Sequence, residues 1–292
     1  IRQEIQRLQD MHRALKDAPD SQISLTDPDA RSMATSARRS GFVGYNAQTA
    51  ADTETHLIVT HDVINDGHDR EQLSPMAKKA KAALRRDEMR VVADKGYFSG
   101  REILACHEEG ITTTLPRPET SGNRKKDMYV KADFAYDADA DVYQCPAGET
   151  LTYRYTTEEK GLVVRRYWAS VCQTCRLKTR CTTGKERRIT RWEHEHLVEA
   201  MHDRMTCDPA LMGLRRSTVE HPFGTIKAWM GATHFRMRRL GTVRTEMAFH
   251  VLAYNIKRMI ALIGVRQLLR AIPARKKGVW LTSPADKRMS IR

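Results

Sequence analysis

Met89-Arg90-Val91-Val92-Ala93-Asp94 is an apolar run ending in an acid, and Lys95-Gly96-Tyr97 follows directly. A helix is predicted from about Ser99, its N-cap, to His107, and a further short strand from Ile111 to Leu115. Strand and helix in this order place the chain in the α/β class. An acid at the carboxyl end of a buried strand, with glycine close behind, lies where open α/β sheets put their sites. Asp94 is therefore the first candidate functional residue.

Upstream, Ile1, Ile5, Leu8, Met11 and Leu15 recur at spacings of four and three, which predicts an amphipathic linker helix within residues 1–21. Ile23 to Asp27 alternates apolar and polar and stops at Asp27-Pro28-Asp29, a short strand ending in an acid. Arg31, Arg38 and Arg39 then form a basic loop suited to phosphate. Gly44 to Ala51 and His56 to Ile64 are rich in β-forming residues and predict an antiparallel hairpin, with Asp52 as a turn residue. Asn65 to Asp69 leads into a helix from about Arg70 to Arg85, and His68 and Asp69 fit capping of that helix better than a metal pair.

Late in the chain, Arg215 to Lys227 reads RRSTVEHPFGTIK. Arg216, Glu220 and Lys227 fall near one face of a helix, a carboxylate between two cations. An exposed i, i+4 ion pair is the plain alternative. Val219, Phe223 and Ile226 make the segment partly apolar, and Pro222 predicts a kink or restart just after the acid. A basic turn, Phe235 to Arg239, precedes a helix from about Val243 to Ile263.

Charge narrows the partner. Lys and Arg total 50 against 36 acids, a net charge of +14 over 292 residues. Such a balance points to a polyanion, nucleic acid first and an acidic membrane surface second. No apolar run of about 18 residues is read, so no transmembrane helix or signal peptide is predicted. The six cysteines are too few for a disulfide framework, and a reducing, cytoplasmic setting is expected. The first residue is Ile, which predicts a segment of a longer protein. The texture changes at Pro116, and residues 116–207 are expected as a β-rich insertion between core segments 22–115 and 208–265, with a basic tail at 266–292.

Asp27, Asp94 and Glu220 come from separate elements. Three such carboxylates can hold two divalent cations for in-line phosphoryl transfer, and magnesium suits oxygen ligands. Arg216 and Lys227 would neutralise phosphate beside them.

The Ala93 to Phe98 stretch, ADKGYF, together with Arg216, Glu220 and Lys227, resembles the motifs of DDE transposases of bacterial insertion sequences. GYNAQTAAD followed by LIV resembles the hairpin of that family. The position three before Arg216, where the family has Tyr, is Gly213, and Tyr97 or Trp229 are candidates to supply the missing contact. The resemblance implies an α/β, RNase H-like mixed sheet flanked by helices. It implies metal-dependent cleavage and strand transfer at insertion-sequence ends with Mg2+ or Mn2+, and a homodimer on double-stranded DNA of the bacterial nucleoid, with no membrane partner. Implied site residues are Asp27, Asp94 and Glu220 for catalysis and metal. For DNA they are Arg216, Lys227, Lys95, Tyr97, Arg236, Arg238 and Arg239. Asp29, or an acid upstream of Ile1, is an alternative first acid. Cys145, Cys172, Cys175 and Cys181 resemble a four-cysteine zinc site in the insertion, with reduced buried thiols or an iron–sulfur cluster as the other readings. His194-Glu195-His196 lacks metalloprotease spacing, and no glycine-rich phosphate loop is read. A non-catalytic DNA-binding relative and a structure-specific nuclease are the competing functions.

Overall fold

The computed structural model describes residues 1–18, 20–33, 41–119, 121–274 and 288–291. Arg38, Arg39 and most of the basic tail lie outside them. The chain divides into two compact units, Ile1–Pro116 with Met201–Arg292, and Arg117–Ala200.

In the first unit, α1 (Arg2–Asp17) buries no residue. β1 (Arg31–Met33) pairs antiparallel with β2 (Phe42–Gly44). β3 (Asn46–Asp52) and β4 (Ile58–Ile64) form the predicted hairpin. Asp52 closes it, its carboxylate accepting from Thr55 N at 3.2 Å. Then come α2 (Leu73–Leu84), β5 (Met89–Val92), α3 (Gly100–Glu108) and β6 (Ile111–Thr114). β5 and β6 pair in parallel, as a helical crossover allows.

The second unit holds a wholly antiparallel sheet ordered β11-β10-β9-β8-β7. Its strands are β7 (Ala135–Asp137), β8 (Val142–Gln144), β9 (Thr150–Glu159), β10 (Leu162–Trp168) and β11 (Ile189–Trp192). Phe134, Tyr143, Leu151, Tyr167 and Ile189 form its core, and Cys145, Cys172 and Cys181 pack against it. Short α4 (Lys178–Cys181) lies in this unit. α5 begins at Glu195, after β11 has ended at Trp192, and runs to Cys207.

The chain returns to the first unit with α6 (Leu211–Gly224), a π-helical turn at Thr225–Trp229, and α7 (Leu240–Ala274), which breaks at Gly264 (φ 77°, ψ 157°). The last strand, β12 (Arg288–Ile291), fills the centre of the sheet ordered β4-β3-β12-β5-β6, antiparallel to β3 and parallel to β5. The strand predicted at Ile23–Asp27 does not form; those residues are irregular, and β12 takes the middle of the sheet.

Val243, Met247, Val251 and Tyr254 of α7 pack with Phe223 and Ile226 on Ile58 and Val63 of edge strand β4. Asn255 completes that edge: its amide donates to Ile58 O at 2.8 Å and accepts from Ile58 N at 3.0 Å. Contrary to the expected lack of an apolar span, Leu240–Ala271 has the length and composition to cross a membrane. Four of its residues nevertheless serve as core here.

Candidate active site and nucleic-acid interface

Asp94 stands just past the carboxyl end of β5, as the strand pattern predicts. It caps a single 3-10 turn: Oδ1 accepts from Gly96 N at 2.7 Å. Oδ2 accepts from Nη2 of Arg215, on α6, at 3.0 Å. The Asp94 side chain stays 42% exposed, while that of Arg215 is 15% exposed. Arg215 was not singled out by the sequence, because its neighbour Arg216 carries the recognised spacing. Only packing shows which of two adjacent arginines turns inward.

Asp69 is a second residue the sequence misread. Its carboxylate does not cap α2, whose N-cap is Gln72. Instead Oδ1 accepts from Asn46 Nδ2 at 2.6 Å and Gln48 Nε2 at 2.7 Å, both on β3. Gln48 Oε1 in turn accepts from the hydroxyl of Tyr97. Tyr97 is 1% exposed, so the expectation that it contacts DNA is corrected: its ring and hydroxyl are spent inside the sheet unit. Asp69 and Asp94 converge on Gly96. A Cβ built there would lie 2.9 Å from Asp94 Oδ1 and 3.4 Å from Asp69 Oδ2.

Asp27 is occupied elsewhere. It is 8% exposed and accepts from the Tyr45 hydroxyl at 2.7 Å, Arg239 N at 3.1 Å and Asp29 N at 3.3 Å. Asp29 Oδ2 accepts from Leu240 N at 2.9 Å. The two acids thus satisfy backbone donors at the start of α7, the usual need of a helix N-terminus. Burial alone would raise the Asp27 carboxyl, but the bonds from Tyr45, Arg239 and Asp29 outweigh it and hold its pKa below the ordinary value. Burial and the same carboxylate push the Tyr45 phenol up.

Glu220 lies on α6, five residues beyond Arg215. Five residues turn an α-helix by about 140°, so Glu220 faces away from the Arg215–Asp94 pair. It is exposed and lines an open groove of about 680 Å³ with Ser217, His221, Trp229, Lys257 and Arg258. No ion pair joins it to Arg216 among the described residues. Tyr254, on the groove wall, donates to His56 O at 2.8 Å, so its oxygen accepts from His221 Nδ1 at 2.9 Å. Burial, Arg258 and His56 lower the His221 pKa.

Asp27, Asp94 and Glu220 therefore do not assemble into one metal site. Among the described residues, no three His, Cys, Asp or Glu stand at metal-holding spacing. Asp94 and Glu220 retain solvent-facing carboxylates suited to a hard cation; Asp27 does not. Lys95, Arg216, Lys227, Arg236, Arg238 and Arg239 are exposed. Arg236 and Arg239 use their backbone N–H groups structurally, on Glu246 and Asp27, which leaves their guanidinium groups outside those bonds.

In the second unit, Cys145, Cys172, Cys175 and Cys181 line one cavity of about 30 Å³. Leu177 N points at Cys175 Sγ at 3.4 Å, while Cys172 Sγ donates to Ala169 O at 3.3 Å. Burial raises the Cys181 pKa, and the nearness of Cys172, Cys145 and Cys175 raises it further. The donor set suits zinc, although these four thiols are not placed as a metal-holding group. Glu195, in the discarded His-Glu-His run, is buried and accepts from Lys131 at 2.7 Å and Arg117 at 2.9 Å.

A family model described as the transposase DDE domain matches residues 16–256. No curated protein and no solved structure matches the chain.

Proposed function

The chain belongs to the transposase DDE-domain family, and on that premise we propose that it cleaves and rejoins DNA strands by phosphoryl transfer at the exposed carboxylate of Asp94. Its mixed sheet flanked by helices is RNase H-like, and its family is one of DNA-acting transposases. The observation that carries the proposal is the position of Asp94 at the end of β5, gripped by Arg215 from the same helix that bears Glu220.

Magnesium or manganese, when bound, supplies Lewis-acid stabilisation of the phosphoryl oxygens. Asp94 is the residue that would hold it; Glu220 lines a separate groove and lies outside that ligand set. Arg215 fixes the rotamer of Asp94, and Gly96 N orients its other oxygen. Arg216 and Lys227, with Lys95, Arg236, Arg238 and Arg239, neutralise the phosphate backbone and set register on the duplex. Asp27 holds the entry to α7 and is assigned no role in the chemistry.

The chain acts as a homodimer on paired ends, a state to be read by light scattering with and without end DNA. Cys145, Cys172, Cys175 and Cys181, which line one cavity, are the residues that would hold a structural zinc ion, and it would tie their loops together. Cleavage and joining of a labelled substrate test the central claim: both are expected to vanish in Asp94→Ala while DNA binding persists. Cleavage retained in that variant would sink it. A second reading, a DNA-binding relative without strand chemistry, is favoured by the engagement of both Asp27 oxygens. It predicts salt-sensitive binding and no metal-dependent activity at all.

A further inference from the structure

Asp69 and Asp94 belong to different connections, one between β4 and α2 and the other just past β5, yet their carboxylates meet over the backbone of Gly96. A Cβ built on Gly96 would fall 2.9 Å from Asp94 Oδ1 and 3.4 Å from Asp69 Oδ2. Glycine leaves open a small space that both oxygens face.

Asp69 is held from its other side. Oδ1 accepts from the amides of Asn46 and Gln48 at 2.6 and 2.7 Å. Gln48 is 1% exposed, and its Oε1 accepts from the hydroxyl of Tyr97. Tyr97 belongs to the same 3-10 turn that Asp94 caps, so one turn sets both acids. The donors on Asp69 are neutral amides, which fix a carboxylate without cancelling its charge. Among the described residues, Oδ2 accepts no hydrogen bond and no cation pairs with Asp69. Arg215 compensates Asp94. Two carboxylates this near repel each other unless a cation lies between them.

The donor set fits a hard divalent ion. Magnesium is commonly bound by one or two carboxylates and takes its other ligands from water and substrate phosphate. No third His, Cys, Asp or Glu joins the pair among the described residues, and that mode needs none. Resting on the reading of Asp94 as the acid that holds the metal, we propose that Asp69 is the second carboxylate ligand, through Oδ2, across the space left by Gly96. Asn46, Gln48 and Tyr97 are positioning residues that aim Asp69. Asp27 and Glu220 stand outside the pair.

The test is manganese binding by the full chain, read by calorimetry and by loss of the free-ion paramagnetic resonance signal, in the wild type, Asp69→Asn, Asp94→Asn and Asp66→Asn. Asparagine at position 69 keeps an oxygen for Asn46 and Gln48 and changes only the atom facing Gly96, so a purely structural Asp69 would tolerate it. Groups one step removed from a metal are worth roughly 10- to 100-fold in its affinity, and a ligand is worth no less. Asp69→Asn and Asp94→Asn are each expected to weaken manganese by about tenfold or more, and Asp66→Asn, at an exposed acid nearby, to leave it unchanged. Gly96→Ala keeps both acids and the amide network and fills the space between them. It too is expected to weaken manganese, and wild-type affinity there would overturn the proposal. Wild-type affinity in Asp69→Asn with loss in Asp94→Asn would overturn Asp69 as a ligand and leave the reading of Asp94 standing. An equal loss in Asp66→Asn would overturn it as well, by making the effect one of general charge. Wild-type affinity in both Asp69→Asn and Asp94→Asn, or no binding by the wild type, would overturn the reading of Asp94 itself.

Discussion

Arg215 and Asp94 meet at 3.0 Å, a helix reaching back to the end of a strand across more than a hundred residues of sequence. The pair also binds the C-terminal strand, because Arg215 Nη2 lies 3.4 Å from Ile291 O. Arg215→Ala should therefore act on function more than on stability. Asp94 is partly exposed, and such pairs contribute roughly 0.2–1 kcal/mol. A strand-cleavage assay should show a large loss with a small change in the urea midpoint. An activity within twofold of wild type would remove Arg215 from the site.

Asp27 and Arg239 give the opposite expectation. Asp27→Asn weakens three bonds at the start of α7 and should cost roughly 1–3 kcal/mol, with cleavage per folded molecule unchanged. The folded pKa lies below the unfolded one. The stabilisation is thus complete above about pH 4 and is lost as pH falls through the folded value. Acid titration of the urea midpoint should be shallower in the variant. Loss of cleavage in a stably folded Asp27→Asn chain would return Asp27 to the catalytic set.

The sheet was legible where neighbours in sequence are neighbours in space. The β3–β4 hairpin, α2 and the β5-to-β6 crossover follow from period and turn chemistry. The centre of the sheet was not: Arg288–Ile291 is four residues long and carries no pattern that marks it as a central strand. The site was half legible. Asp94 is visible from local sequence because a strand end positions it. Arg215 and Asp69 are not, since their partners lie on other elements, and Asp27 misleads because Asp-Pro ends a strand or opens a turn equally well.

Gly96 adjoins two carboxylates, and its substitution tests how tightly they are set. Gly96→Ala would put a methyl carbon 2.9 Å from Asp94 Oδ1, closer than ordinary contacts allow. Asp94 must swing, and its bond from Gly96 N weakens. Cleavage should fall at least tenfold while duplex binding stays within twofold. Unchanged cleavage would mean that Asp94 reacts from another rotamer.

His56 and His221 make the groove sensitive to pH. Burial and Arg258 lower both pKa values, with His56 adding to the effect on His221. The unfolded chain then binds protons more readily than the folded one. Stability contributed by the neutral pair is present above about pH 6.5 and falls as pH drops toward the folded values. His221→Gln should flatten the fall in urea midpoint between about pH 7.5 and 5.5. An identical slope in wild type and variant would show that the Tyr254 contact carries no linkage.

The cysteine cavity offers the last test. Cys207 is exposed, whereas burial raises Cys106 to about 12 and also lifts Cys181. A thiol reagent near pH 8 should therefore modify Cys207 first and Cys106 last, because the thiolate is the reactive form. With equimolar zinc, Cys145, Cys172, Cys175 and Cys181 should be protected together while Cys207 stays reactive. Cobalt in place of zinc should give the absorption of a tetrahedral thiolate site, lost in Cys175→Ser. Four thiols that react as freely with zinc as without it would leave them as packing residues of the β7–β11 sheet.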